Sequence, residues 1–191
     1  MSSFWHPNKG ADTNESSSYK SIDINVAHPI RATQLAIDYF LRQKLGHGVV
    51  LLISSIAAQM PLLPIPLYTT SKHAISGFTR SLAHLETTLN IRVNAVAPGT
   101  VKTPIWSDDK AARLDDVQDS WVPIDRVVDV MVDMITKSEY VGGTIIEIGV
   151  DAVRSVQELN DPGPSGRGHT VAGIGEWYAD VYSKIEQNFG K

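Results

Sequence analysis

Tyr68 and Lys72 stand four residues apart in the run Tyr68-Thr-Thr-Ser-Lys72, and on a helix that spacing stacks the two side chains one turn above each other. A free phenol titrates near 10, too high for a useful base at neutral pH, and a neighbouring ammonium favours the phenolate. The pair therefore has the chemistry of a proton donor and acceptor tuned by a cation. Taken alone the spacing is common on surface helices, where it amounts to a solvated pair worth roughly 0.2–0.5 kcal/mol. Ser55 gives it context. It precedes Tyr68 by 13 residues, at the close of HGVVLLISS, and the carboxyl ends of strands are where open α/β sheets place ligands. A hydroxyl there holds an alcohol or carbonyl oxygen while Tyr68 moves the proton. Ser54 points to the opposite face, so one serine of the two faces the site.

The next apolar run, IRVNAVAPG, ends in Pro98-Gly99-Thr100-Val101-Lys102-Thr103-Pro104, whose backbone and hydroxyl are suited to an amide. The six histidines and the absence of cysteine leave no metal-ligand spacing, and His73 reads as a helix-surface residue. No metal is expected.

The elements that must position these residues follow from periodicity. From 23 to 45 apolar residues recur at helical spacing (Ile30, Ala36, Phe40, Leu41), with Pro29 beginning or kinking the helix and Gly46 stopping it. The run at 49 to 54 is β-branched and continuous, the pattern of a parallel strand buried on both faces. Ile75, Phe78, Leu82 and Leu85 predict one helix over about 68 to 89. A strand over IRVNAVAPG, an irregular charged flap at 104 to 122, an amphipathic helix over IDRVVDVMVDMITK and a strand over GGTIIEIGV complete the series. Helix, strand, helix, strand, helix, strand calls for an α/β layered fold with a parallel sheet. Residues 1–20 read as a polar arm or loop and 151–191 as a loop-like extension with a possible short helix near its end.

Length and composition bound the function. The 191 residues fit one domain, 42% hydrophobic and 20% charged, with a mean hydropathy of -0.09 and a pI near 5.8. A formal charge of -4 offers no basic stripe, so no nucleic-acid partner is expected. No leader-like segment opens the chain and no apolar run is long enough to span a bilayer; a cytoplasmic location is the expectation.

Taken in order and spacing, ISSIAAQ, YTTSK and RVNAVAPGTVKTP resemble the catalytic half of the short-chain dehydrogenase/reductase family, over roughly residues 20 to 150, and within it most closely the fungal members that look like 15-hydroxyprostaglandin dehydrogenase. The resemblance implies an α/β fold, the C-terminal half of a Rossmann-like doubly wound parallel sheet of about three strands with flanking helices. The domain reading is an arm at 1–20, a partial catalytic domain at 21–150 and an extension at 151–191. It also implies an enzyme interconverting an alcohol and a carbonyl with NAD or NADP. Tyr68 would be the general acid/base, Ser55 the orienting hydroxyl, and Lys72 both the partner of Tyr68 and a holder of the nicotinamide ribose. Asn25 matches the family's helix asparagine that fixes a water in a proton relay and borders the cofactor; a plain helix N-cap is the other reading. Pro98, Gly99, Val101 and Thr103 match the segment that grips the nicotinamide carboxamide, with a turn before proline as the other reading of Thr103. The family's glycine-rich turn finds no counterpart before Asn25, so the dinucleotide half is expected to be missing. The strand at 49 to 54 then becomes an apolar edge. The helices at 23 to 45 and 68 to 89 imply a homodimer or higher oligomer, and a silent dimerisation or regulatory module is the alternative to an enzyme.

Overall fold

The computed structural model describes residues 19–104 and 121–158, together with 179, 182–183 and 185–187. The interior of the expected flap, the arm at 1–18 and the proline- and glycine-rich part of the extension lie outside these residues. One helical column opens the described chain: α1 (Lys20–Ile22), a π-turn (Asp23–Ala27) and α2 (His28–Arg42). Strand β1 (Gly48–Ile53) leads through a 3-10 turn (Ile56–Ala58) into α3 (Pro66–Ser81) and α4 (Leu85–Leu89). Then come β2 (Ile91–Pro98), α5 (Ile124–Thr136), β3 (Ile145–Ile148) and β4 (Val153–Ser155).

Among the described residues the sheet has four strands, in the order β1-β2-β3-β4. β1 pairs parallel with β2, in register Gly48 opposite Ile91 to Ile53 opposite Val96, and β2 pairs parallel with β3. β4 runs antiparallel to β3, so the sheet is mixed rather than wholly parallel. The sequence reading placed these residues in a loop-like extension because Val153-Arg-Ser155 is short and fully exposed. What holds it is cross-strand: Arg154 lies opposite Glu147, pairs with its carboxylate and reaches Gln59 Oε1 at 3.0 Å.

Two apolar layers sandwich the sheet. On one side Ile37, Leu52, Ile75, Leu85, Ile91, Val93, Ala95 and Ile145 bury together, with Phe40, Phe78 and Tyr182 packed against them. On the other, Val96, Ile146 and Ile148 meet Val127, Val130 and Met134 of α5. On the outer side of α5 Asp133 pairs with Lys137 at 2.7 Å, and Ile124, Val128 and Val132 share the exposed surface. Among the described residues β1 has no partner on its outer side, and the residue burial along it is uneven; the expectation of burial on both faces suits a central strand, whereas among these residues β1 is an edge.

The single helix expected over 68 to 89 is two. α3 ends at Ser81, a turn follows, and α4 closes at Asn90, which adopts a left-handed conformation at φ 55°. The column expected over 23 to 45 starts three residues earlier and ends at Arg42, with Gly46 at φ 75° past its end. Among the described residues no helix is long and apolar enough to cross a membrane.

The turn into β3 fixes how that strand enters the sheet. Gly143 adopts φ +85°, and a Cβ there would lie 2.8 Å from the Ala83 Cβ. Left-handed strain and overpacking act together, so Gly143→Ala is expected to lower stability by about 1–3 kcal/mol. Urea unfolding of the two proteins checks it; a change within a few tenths of a kcal/mol would show that the turn shifts freely.

Candidate active site

The candidate residues gather at the carboxyl ends of β1 and β2. β1 ends at Ile53, and the ladder decides which way its last groups point. Ser54 N–H donates to Val96 O at 2.8 Å, so alternation along the strand turns the Ile53 carbonyl away from β2, toward the open edge. Lys72 meets it there: its Nζ donates to Ile53 O at 2.8 Å. The lysine is 9% exposed, and burial holds its ammonium below the ordinary lysine range. One donor is used by Ile53, and an ammonium has three. The same Nζ lies 5.4 Å from the centre of the Tyr68 ring, so the spacing read from sequence does bring the phenol and the ammonium together on α3. Tyr68 itself is only half-buried.

The two adjacent serines divide as expected. Ser54 faces α3, where its hydroxyl donates to Lys72 O at 3.2 Å and lies 2.8 Å from Ser76 Oγ. These bonds clamp the end of β1 to the helical turn that carries Lys72. Ser55 is extended and caps the 3-10 turn, its Oγ accepting from Ala57 N–H at 3.2 Å. A serine hydroxyl accepting one bond retains its proton to donate, and the turn it caps packs on α3.

Asn25 is not a helix N-cap. It sits inside the π-turn, where His28 N–H reaches back five residues to Asp23 O. Pro29 explains the widening. Without an N–H it makes no four-back bond to Asn25 O, and single π-turns of this kind recur at functional sites. The Asn25 side chain donates to Ser71 Oγ at 3.2 Å, and Ser71 Oγ donates to Tyr68 O at 2.7 Å. Asn25 is thus tied to the tyrosine's own turn through a serine that the sequence reading passed over, although Ser71 adjoins Lys72. Asn25 and Lys72 line a groove of about 540 Å3 along the open edge of β1, with Thr33, Leu52 and Ile75 among its walls. Neither Tyr68 nor Ser55 lines the groove.

Pro98 ends β2, and Gly99 N–H donates to Ile148 O at 3.0 Å. Val101 bridges Val122, while Val122 N–H donates to Thr100 O at 2.8 Å. The exit of β2 is therefore fixed up to Val101, five residues past Val96, the partner of Ile53. Thr103 lies in a bend just past it, and among the described residues no hydrogen bond joins it to Tyr68 or Lys72. Asn94 is fully buried and bonds Tyr140 O and Thr144 N–H, a structural role. His73 spends Nδ1 on Thr69 O at 2.9 Å. Among the described residues no group of three or more His, Cys, Asp or Glu is arranged to hold a metal ion.

Residues 6–114 match the profile of the short chain dehydrogenase family. Over 101 residues the chain is 41% identical to the rat 15-hydroxyprostaglandin dehydrogenase [NAD(+)], a stretch covering 51% of this chain and 38% of that enzyme. Over 153 residues it is 31% identical to the 2-dehydro-3-deoxy-D-gluconate 5-dehydrogenase of Bacillus subtilis, covering 75% of this chain and 59% of the other. The chain therefore spans between about two fifths and three fifths of the length of these relatives. Among solved structures, a gluconate 5-dehydrogenase from Burkholderia cenocepacia in complex with NADP and tartrate superimposes with a TM-score of 0.59 at 18% identity, over 68% of this chain and 53% of the other.

Proposed function

Because the chain belongs to the short-chain dehydrogenase family, we propose that it carries the proton-handling site of an oxidoreductase that interconverts an alcohol and a carbonyl on a small organic substrate, with NAD or NADP as hydride carrier. The observation that carries this reading is the position of Lys72: a buried ammonium fixed on Ile53 O, set across the Tyr68 ring, with donors to spare.

Each residue has a task. Ser55 donates its free proton to the substrate oxygen and holds that oxygen within reach of Tyr68. Tyr68 gives its proton to a carbonyl oxygen being reduced, or takes it from an alcohol being oxidised. Lys72 keeps positive charge beside the phenol as it gains or loses that proton, and its remaining donors suit ribose hydroxyls. Asn25 holds an acceptor at the groove next to Lys72 and completes a path for the proton to solvent. The backbone of Pro98, Gly99 and Val101 and the hydroxyl of Thr103 offer donors and acceptors at the end of β2 for an amide.

The nicotinamide supplies or accepts the hydride. The described residues fit the riboside end of such a molecule, by the buried cation and the fixed strand exit. Its diphosphate calls for a glycine-rich turn between a strand and a helix N-terminus. Among the described residues no strand-to-helix junction has one: β1 enters its 3-10 turn through Ser54 and Ser55. A homodimer or higher oligomer through α2 and α3 belongs to the same reading, with Leu35 and Tyr39 more than half exposed on α2.

Titration with NADH and NADPH, followed by quenching of tryptophan fluorescence and by calorimetry, tests the cofactor half of the proposal. A saturable signal for at least one of them is expected. A flat response to both rejects the oxidoreductase reading for this chain.

A further inference from the structure

We propose that Ser71 is a positioning residue that sets the direction of the Asn25 amide, turning its Oδ1 toward the groove that Asn25 and Lys72 share. The inference rests on the proposed oxidoreductase only for its use; the geometry stands by itself.

Ser71 is fully buried, so no solvent completes its bonding. A serine hydroxyl has one proton and two lone pairs. The proton is committed to Tyr68 O at 2.7 Å, the shorter of its two contacts. What remains for Asn25 is a lone pair, at 3.2 Å. An amide facing a lone pair must present its NH2 group, and its oxygen then points elsewhere. Flipping the amide would set two oxygens together or pull the Ser71 proton off Tyr68 O, leaving a buried group unpaired. The donor direction of one serine therefore fixes the acceptor direction of Asn25.

The backbone gives that orientation its purpose. Asn25 lies in the π-turn that Pro29 interrupts, where helical packing alone constrains a side chain less than in a regular turn. Ser71 supplies the missing constraint from α3. Because the same hydroxyl grips the Tyr68 carbonyl, the acceptor at the groove and the turn carrying the phenol are held by one atom.

Side-chain amide exchange in a 15N-labelled chain tests this without any nucleotide. The Asn25 NH2 pair is identified as the one absent from Asn25→Asp. Its protons are expected to exchange about tenfold more slowly than those of exposed Asn and Gln side chains. Ser71→Ala should abolish that slowing while backbone amides of α3 keep theirs, and Ser71→Thr should restore it. An Asn25 pair that exchanges alike in wild type and Ser71→Ala overturns the inference. So does a general loosening of α3 amides in Ser71→Ala, which would mark Ser71 as plain packing. A failed nucleotide titration would sink the oxidoreductase reading and leave these results as they are.

Discussion

Tyr68→Phe is expected to lower alcohol turnover by about 10²–10⁴-fold, the contribution of a well-placed proton donor or acceptor, and to leave the fold standing. The substitution removes one oxygen. Among the described residues that oxygen makes no hydrogen bond, and the ring is half-buried, so neither a cavity nor an orphaned buried partner results. The ring that Lys72 faces at 5.4 Å remains. Stability should stay within about 0.5 kcal/mol of wild type, and nucleotide affinity should change little, since Lys72 and the β2 exit are untouched. Steady-state kinetics alongside thermal unfolding separates the two effects. Turnover retained to within a few-fold would remove Tyr68 from the chemistry, and an unfolded variant would show that the ring was structural.

Lys72→Met should act on both function and stability, in opposite senses. Turnover is expected to fall by about a hundredfold or more, because the phenol loses its cation. Stability responds through linkage. Burial holds the Lys72 ammonium below the ordinary lysine range, so between its folded value and the unfolded value near 10.4 the unfolded chain binds more protons than the folded one. The stability contribution of this group therefore rises with pH through that window. Below it, a charged Lys72 is a constant cost, offset in part by the bond to Ile53 O. Methionine fills a similar volume without the charge, so the variant should lose the alkaline rise, and its advantage over wild type should shrink as pH climbs. Urea midpoints measured for both proteins from neutral to alkaline pH check the sign. Parallel profiles for the two would mean that Lys72 is solvated and that its burial has no energetic consequence.

The parts of this arrangement that were legible in the sequence are those set by local spacing. A spacing of four from Tyr68 to Lys72 puts both on one helical face, and strand alternation separates Ser54 from Ser55; the structure keeps both. The misreadings have local physical causes. α3 and α4 look continuous because Ile75, Phe78, Leu82 and Leu85 keep one stripe, yet the chain breaks after Ser81 to let Leu85 enter the core and Asn90 turn left-handed. β4 carries no apolar pattern, as its three residues are exposed and held by pairing with β3. Asn25 was open to an N-cap reading because asparagine is a favoured cap residue; here it lies inside a helical column already under way, widened at Pro29. Ser71 escaped notice because its role depends on a partner 46 residues away, which no periodicity reveals. The β1 edge was foreseen from the resemblance, and its consequence, a groove ending at Asn25 and Lys72, needed coordinates.

The most direct test is formation of reduced nicotinamide by the purified chain from a panel of secondary alcohols with NAD and with NADP, run side by side with Tyr68→Phe. Saturable formation with at least one nucleotide is expected, falling by about 10²–10⁴-fold in the variant. No formation with any pairing, or equal rates in both proteins, would contradict it.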